Sequence, residues 1–388
     1  MKKIIYISGS RAEYGIMKEL LVKLKNDSEI ELVIAVTGMH CEVAYGETYK
    51  VIQQDGFKIE KFFPISINTE NNSSILTSMS ICQKKFGEYF EEKKFDAVML
   101  LGDRYEIFSV AIAAAMHNLP IIHFHGGEKT LGNYDEFIRH SITKMSRLHL
   151  ASTEIYRKRI IQLGENPDYV YNIGALGAQN SLLMGLPEKS ELEARFGRLD
   201  VPYFMVVYHP ETLSSLSIEF QLDELLSALE VFISDYNFIF IGSNSDTGAD
   251  CVREKTLQFC QRNNSRYLIS VKVDEYLALN KYSKGLIGNS SSGLIEIPSL
   301  KIPTINIGDR QKGRVRGASV IDIACKKEEI VRAIELTKKE QFIELVNNST
   351  NPYLQDDSSE KALHIIKEFI FNENITYQKD FFDHEFTF

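Results

Sequence analysis

The chain has 388 residues, 44% hydrophobic and 25% charged, a composition that excludes a disordered or fibrous protein, and its length exceeds what one compact core accommodates. Its 44 basic and 53 acidic residues leave a formal charge of −9, which opposes non-specific binding to nucleic acid or to an anionic membrane. Cys41, Cys82, Cys251, Cys260 and Cys325 are odd in number and lack any C-x-x-C spacing, which predicts reduced thiols and a cytoplasmic setting.

In chain order, the apolar stretch after Lys2 and Lys3 is too short for a secretory signal and predicts a first strand over residues 4–8. Further strands are expected at 31–36, 97–101, 120–124 and 170–173; most of these runs are apolar throughout, as in strands covered on both faces. Asn71-Asn72-Ser73-Ser74 reads as a polar loop. The apolar run 110–116 is broken by His117, Asn118 and Pro120 well before it could span a membrane. A charged helix bracketed by Leu186-Pro187 and Asp200-Val201-Pro202 packs on neither sheet in an obvious way and marks a boundary within 174–202. The strand rhythm then restarts at 203–208, 237–241, 267–269, 285–287 and 304–307, with helical periodicity over 221–233. A helix is expected over 358–371. The expected fold is α/β: two Rossmann-like doubly wound domains facing a cleft, residues 1–180 and 181–365, with a tail at 366–388 packing back on the first.

Open parallel sheets bind ligands beyond the carboxyl ends of their strands, so the residues after each apolar run are the informative ones. After the first strand, Gly9-Ser10-Arg11 lacks the G-x-G-x-x-G spacing of a dinucleotide fold and offers an arginine instead. Gly102-Asp103-Arg104 places an acid beside a cation, where a plain helix cap by Asp103 is the bland alternative. His123-Phe124-His125-Gly126-Gly127-Glu128 supplies two imidazoles and a carboxylate, yet no third ligand at a fixed spacing, so no metal is expected. Asp135, Glu136, Arg139 and His140 open a helix; they form i,i+4 surface pairs unless a carboxylate of this first turn points into the cleft. Gly288-Asn289-Ser290-Ser291-Ser292-Gly293 precedes a helix and suits a phosphate, with Glu296 placed to accept ribose hydroxyls. His209-Pro210 and the segment 242–248, containing Asn244, add polar groups at two more strand ends. Four cations within 308–317, including Arg310, predict a diphosphate clamp rather than an RNA patch.

Together the motifs GSRAEYG, GDRYEIFSVAIAA, HGGE, FIRHSITK, GNSSSGLIE and GDRQKGR resemble the UDP-N-acetylglucosamine 2-epimerase family over nearly the whole chain. The resemblance is strongest to its hydrolysing, sialic-acid branch, the bacterial capsular polysialic-acid epimerases. It implies the B-type glycosyltransferase architecture and a reaction in which UDP-N-acetylglucosamine loses UDP by elimination. Water would then add to the glucal-like intermediate to give N-acetylmannosamine, with no cofactor. By match to the motifs, Asp103 and a carboxylate of the Asp135–Glu136 pair are the acid/base candidates. Arg11, His209, Ser290, Ser291, Glu296 and Arg310 are the expected UDP contacts, with Asn244 and Asn289 also on the substrate-binding side and Arg104 supporting the Asp103 region. His125 departs from the pattern, standing where many members carry a glutamate; an imidazole there can move protons near neutral pH. The expected partners are UDP-N-acetylglucosamine, UDP and further copies of the chain, without nucleic acid or membrane. Alternatives left open are a GDP-linked or diacetamido sugar substrate, a glycosyltransferase, and a nucleotide-sugar sensor without turnover.

Overall fold

The computed structural model describes residues 1–373 and 378–385. The first sheet contains β1 (Lys2–Ser8), β2 (Ile30–Thr37), β3 (Ile59–Phe63), β4 (Ala97–Leu101), β5 (Ile121–Phe124), β6 (Leu148–Ala151) and β7 (Val170–Asn172). The second contains β8 (Tyr203–Val207), β9 (Asn237–Ile241), β10 (Arg266–Leu268), β11 (Leu286–Gly288), β12 (Thr304–Ile307) and β13 (Val320–Ile323). Every pairing is parallel, in the orders β3-β2-β1-β4-β5-β6-β7 and β10-β9-β8-β11-β12-β13. These are two Rossmann-like domains, and the order reversal beside β1 and β8 opens the crevice in which such sheets bind ligands.

The apolar strands are explained by burial on both faces. Ile4 and Tyr6 face one core while Ile5 and Ile7, one residue out of phase, face another. In the second sheet Phe204 and Val206 face one core and Met205 and Val207 the other. Sequence reading misses β3, β6 and β13: β3 and β13 are sheet edges, and β3 carries charge, while β6 is only four residues long. The stretch read as a loop at Asn71–Ser74 instead starts the helix Asn72–Glu92, with the Asn71 side chain accepting from Ser74 N at 3.0 Å as its N-cap. The linker helix Lys189–Phe196 does pack on a sheet, inserting Leu192 into the second domain's core.

The helix Ser358–Phe371 returns to the first domain, where Ala362, Ile366, Phe369 and Ile370 join the core beneath the helix Arg11–Asn26. Side chains the size of Ile366, Phe369 and Ile370 contribute ~1.5–3 kcal/mol each when fully buried, so this attachment is firm. Beyond it, Phe382 N donates to Gly164 O at 3.0 Å, and Lys379 Nζ donates to the carbonyls of Lys144 and Ser146 at 2.7 Å. No helix among the described residues is long and apolar enough to cross a membrane, and the five cysteines are free thiols.

Candidate active site

The carboxyl ends of the two sheets enclose a cleft of about 270 Å³. Hydrogen bonds bridge it from both sides: Arg104 Nη2 donates to Ser245 Oγ at 2.5 Å, Thr212 Oγ1 to Asn133 Oδ1 at 2.5 Å, and Leu213 N to Gly132 O at 3.2 Å. Of the residues singled out in the sequence, Arg11, Asp103, Arg104, His125, Asp135, His209, Asn244, Ser290, Ser291, Glu296 and Arg310 line it. Glu136 and Asn289 do not. Glu136 Oε2 accepts from Thr130 N at 2.5 Å, and Oε1 faces His140 Nε2 at 3.3 Å, so this carboxylate braces the loop before its own helix. Asn289 clips two strand ends together, accepting from His209 N and donating to His209 O, both at 2.8 Å.

On the second domain, His209 Nδ1 accepts from Asn244 N at 3.1 Å, which leaves the ring proton on Nε2. Burial, with Arg310 and Arg104 nearby, holds this imidazole well below its ordinary pKa, so it stays neutral and donates from Nε2. The helix expected after the serine run is a single turn, Ser292–Ile295, so a helix dipole adds little there. The serine hydroxyls form a short chain in which Tyr276 OH lies 2.6 Å from Ser292 Oγ, itself 3.0 Å from Ser290 Oγ. Glu296 is pushed up to about 7 by burial, and its Oε2 lacks a hydrogen-bond partner among the described residues. Arg310 Nη1 donates to Asn289 O at 3.1 Å and Nη2 stands 3.7 Å from Asp135 Oδ2.

On the first domain, Gly102 turns the chain at φ +82°, a backbone suited to glycine, and Asp103 follows it. Asp103 pairs with Arg139, whose side chain is fully buried and also donates to Glu128 O at 3.1 Å and Thr130 Oγ1 at 3.0 Å. The expected surface pair of Asp135 with Arg139 does not form; Glu136 with His140 does. Asp135 is pushed up to about 7 by burial and by Asp246, against the pull of Arg310, Arg104 and Arg314. A carboxyl raised in this way holds a proton more readily than an ordinary aspartate, as an acid/base group should. Arg104 is held between Glu106 Oε1 at 2.5 Å and Glu13 Oε1 at 3.5 Å. Burial and the neighbouring Glu106 raise Glu13 to about 7.

Sequence reasoning missed Glu13, Glu128, Arg139, Asp246 and Arg314 as members of the site. Glu13, Glu128, Arg139 and Arg314 lie inside motifs already quoted, so the motif pointed to them although the choice of residue did not. No group of three or more His, Cys, Asp or Glu among the described residues could hold a metal ion, and His123 turns inward, with Nε2 2.8 Å from Gly102 O.

The family model for UDP-N-acetylglucosamine 2-epimerase matches residues 22–367. The chain is 60% identical to the polysialic acid biosynthesis protein P7 of Escherichia coli, covering 99% of this chain and 98% of that one. It is 40% identical to the hydrolysing GDP/UDP-N,N'-diacetylbacillosamine 2-epimerase of Campylobacter jejuni, over 83% and 84% of the two chains. Among solved structures, the UDP-GlcNAc 2-epimerase of Neisseria meningitidis bound to UDP-GlcNAc superposes with a TM-score of 0.78 at 17% identity, over 94% of this chain and all of the other.

Proposed function

The chain belongs to the UDP-N-acetylglucosamine 2-epimerase family, and we propose that it is a hydrolysing member that converts UDP-N-acetylglucosamine and water into N-acetylmannosamine and UDP for sialic acid synthesis. The observation that carries this reading is Asp135, which lines the cleft from the first domain 3.7 Å from Arg310 of the second and whose pKa is raised by burial and by Asp246. A group able to give and take protons thereby stands where the sugar meets the diphosphate.

In the proposed reaction the proton on C2 passes to a base and its bonding electrons form the C1–C2 double bond. The C1–O bond breaks and its electrons leave with UDP. Water then adds its oxygen to C1, and a proton reaches C2 on the opposite face, which inverts that carbon. The oxidation level of the products as a whole is unchanged, so no redox cofactor is required. The nucleotide lies against the second domain, with Glu296 accepting from the ribose, His209 donating from Nε2, and Arg310 and Arg11 opposing the negative charge of the leaving diphosphate. Asp103, aligned by Arg139, and Asp135 lie beside the sugar.

Turnover in heavy water tests this. The expected product is N-acetylmannosamine bearing deuterium at C2, seen by mass and NMR; unlabelled N-acetylglucosamine would refute the proposal. A second reading is supported by the 40% identity to the diacetylbacillosamine epimerase: the same chemistry on a diacetamido sugar. Assaying both nucleotide sugars side by side separates the two.

A further inference from the structure

We infer that Glu128 is a positioning residue that holds His125 as the proton acceptor of the elimination step, an assignment that rests on the reaction proposed above. His125 follows β5 in a left-handed backbone (φ +62°) unusual for a residue with a side chain, and only 7% of it is exposed. Gly127, at φ +74°, then folds the chain so closely that an added Cβ would meet Tyr156 O at 2.5 Å. This turn brings Glu128 back to the ring, with Oε1 3.3 Å from His125 Nδ1. His125 Nε2 is buried, has no hydrogen-bond partner among the described residues, and belongs to a side chain lining the cleft.

The state of the carboxyl group decides what that nitrogen can do. Glu128 Oε1 accepts from Ser152 Oγ at 2.8 Å, and Oε2 lies 2.6 Å from Arg314 Nη2. Burial would raise its pKa, but Arg314, with hydrogen bonds from His125 and Ser152, outweighs burial and holds it below the usual carboxylate range. An ionised carboxylate only accepts, so a ring with a single proton keeps it on Nδ1 and presents a lone pair at Nε2. That is the arrangement of an oriented general base. Removal of the C2 proton places it on Nε2 and forms an imidazolium beside Glu128, while Asp135, whose pKa burial raises, can supply the opposite face. Arg314 comes from the second domain, so both domains contribute to the orientation of the ring.

The test compares the two half-reactions in Glu128→Gln. Its amide donates to Nδ1 and moves the ring proton to Nε2, removing the lone pair without changing size. We expect kcat for UDP release to fall ~10²-fold, with KM and UDP affinity within about threefold of wild type. Hydration of supplied 2-acetamidoglucal in the presence of UDP should stay within about threefold, and Glu128→Asp should recover part of the lost rate. UDP release by Glu128→Gln close to the wild-type rate, or equal loss of both half-reactions, would overturn the assignment. If wild-type protein inverts a diacetamido sugar instead, the reading of the substrate fails while the same comparison, with that sugar and its own glycal, still judges Glu128.

Discussion

Gly132 touches the opposite domain more closely than any side chain would permit. A Cβ built there would stand 2.6 Å from the Asp309 carbonyl carbon, 2.7 Å from its oxygen and 2.8 Å from Arg310 N. These are backbone atoms, which cannot rotate aside. Ordinary contact begins at 3.4 Å, so in Gly132→Ala the loop at Asp309 must retreat from 2.6 Å by about 0.8 Å. The hydrogen bonds Leu213 N to Gly132 O and Leu131 N to Lys312 O, at 3.2 and 3.3 Å, lie beside that contact, as do the approaches of Arg310 to Asp135 and Arg314 to Glu128. At ~1 kcal/mol for each hydrogen bond lost, the closed arrangement should weaken by about 2 kcal/mol. That corresponds to roughly 30-fold weaker UDP binding and a similar or larger fall in kcat/KM. Titration calorimetry with UDP and small-angle scattering of the complex would measure both affinity and closure. UDP affinity and turnover within about twofold of wild type would show that the two domains do not need this approach.

Asp103→Asn should lower kcat ~10²-fold or more with UDP affinity largely kept, and should also cost on the order of 2 kcal/mol of stability because buried Arg139 loses the nearer of its two carboxylates, keeping Glu136 at 3.4 Å; a Tm equal to wild type would contradict the second part. Glu296, raised to about 7 by burial, binds its proton more tightly folded than unfolded, so its contribution to stability is present at low pH and is lost as pH rises from its ordinary 4.5 through 7. Glu296→Gln removes that loss, so its Tm relative to wild type should be higher near pH ~8 than near pH ~5, by up to about 3 kcal/mol in stability. An equal difference at both pH values would refute it.

Both sheets and most cleft residues are legible in the sequence because doubly covered strands are apolar runs and the polar turns after them stand out. What is hidden depends on contacts across the fold. Arg139, four residues after Asp135, reads as half of a surface pair; the chain instead buries it to reach Asp103. In the basic loop Arg314 and Lys312 look equivalent, yet Arg314 enters the cleft towards Glu128 while Lys312 stays exposed. Nothing in local spacing distinguishes them, since the path of the loop decides which cation turns inward. The pairing of His125 with Glu128 is hidden differently: i,i+3 spacing is a contact rule for helices, and here a glycine turn produces the contact instead.

The return of the helix Ser358–Phe371 to the first core means that the polypeptide crosses between the domains twice. No single cut can yield two complete halves: severing the connection near Pro187 leaves the first half without the segment that seals its core. Split versions of the protein would require two cuts and three fragments. Circular permutation should be the gentler rearrangement, with new ends opened in the linker before Lys189 and the old termini joined, because the second sheet and the returning helix then remain continuous with the strand that follows them in the permuted chain.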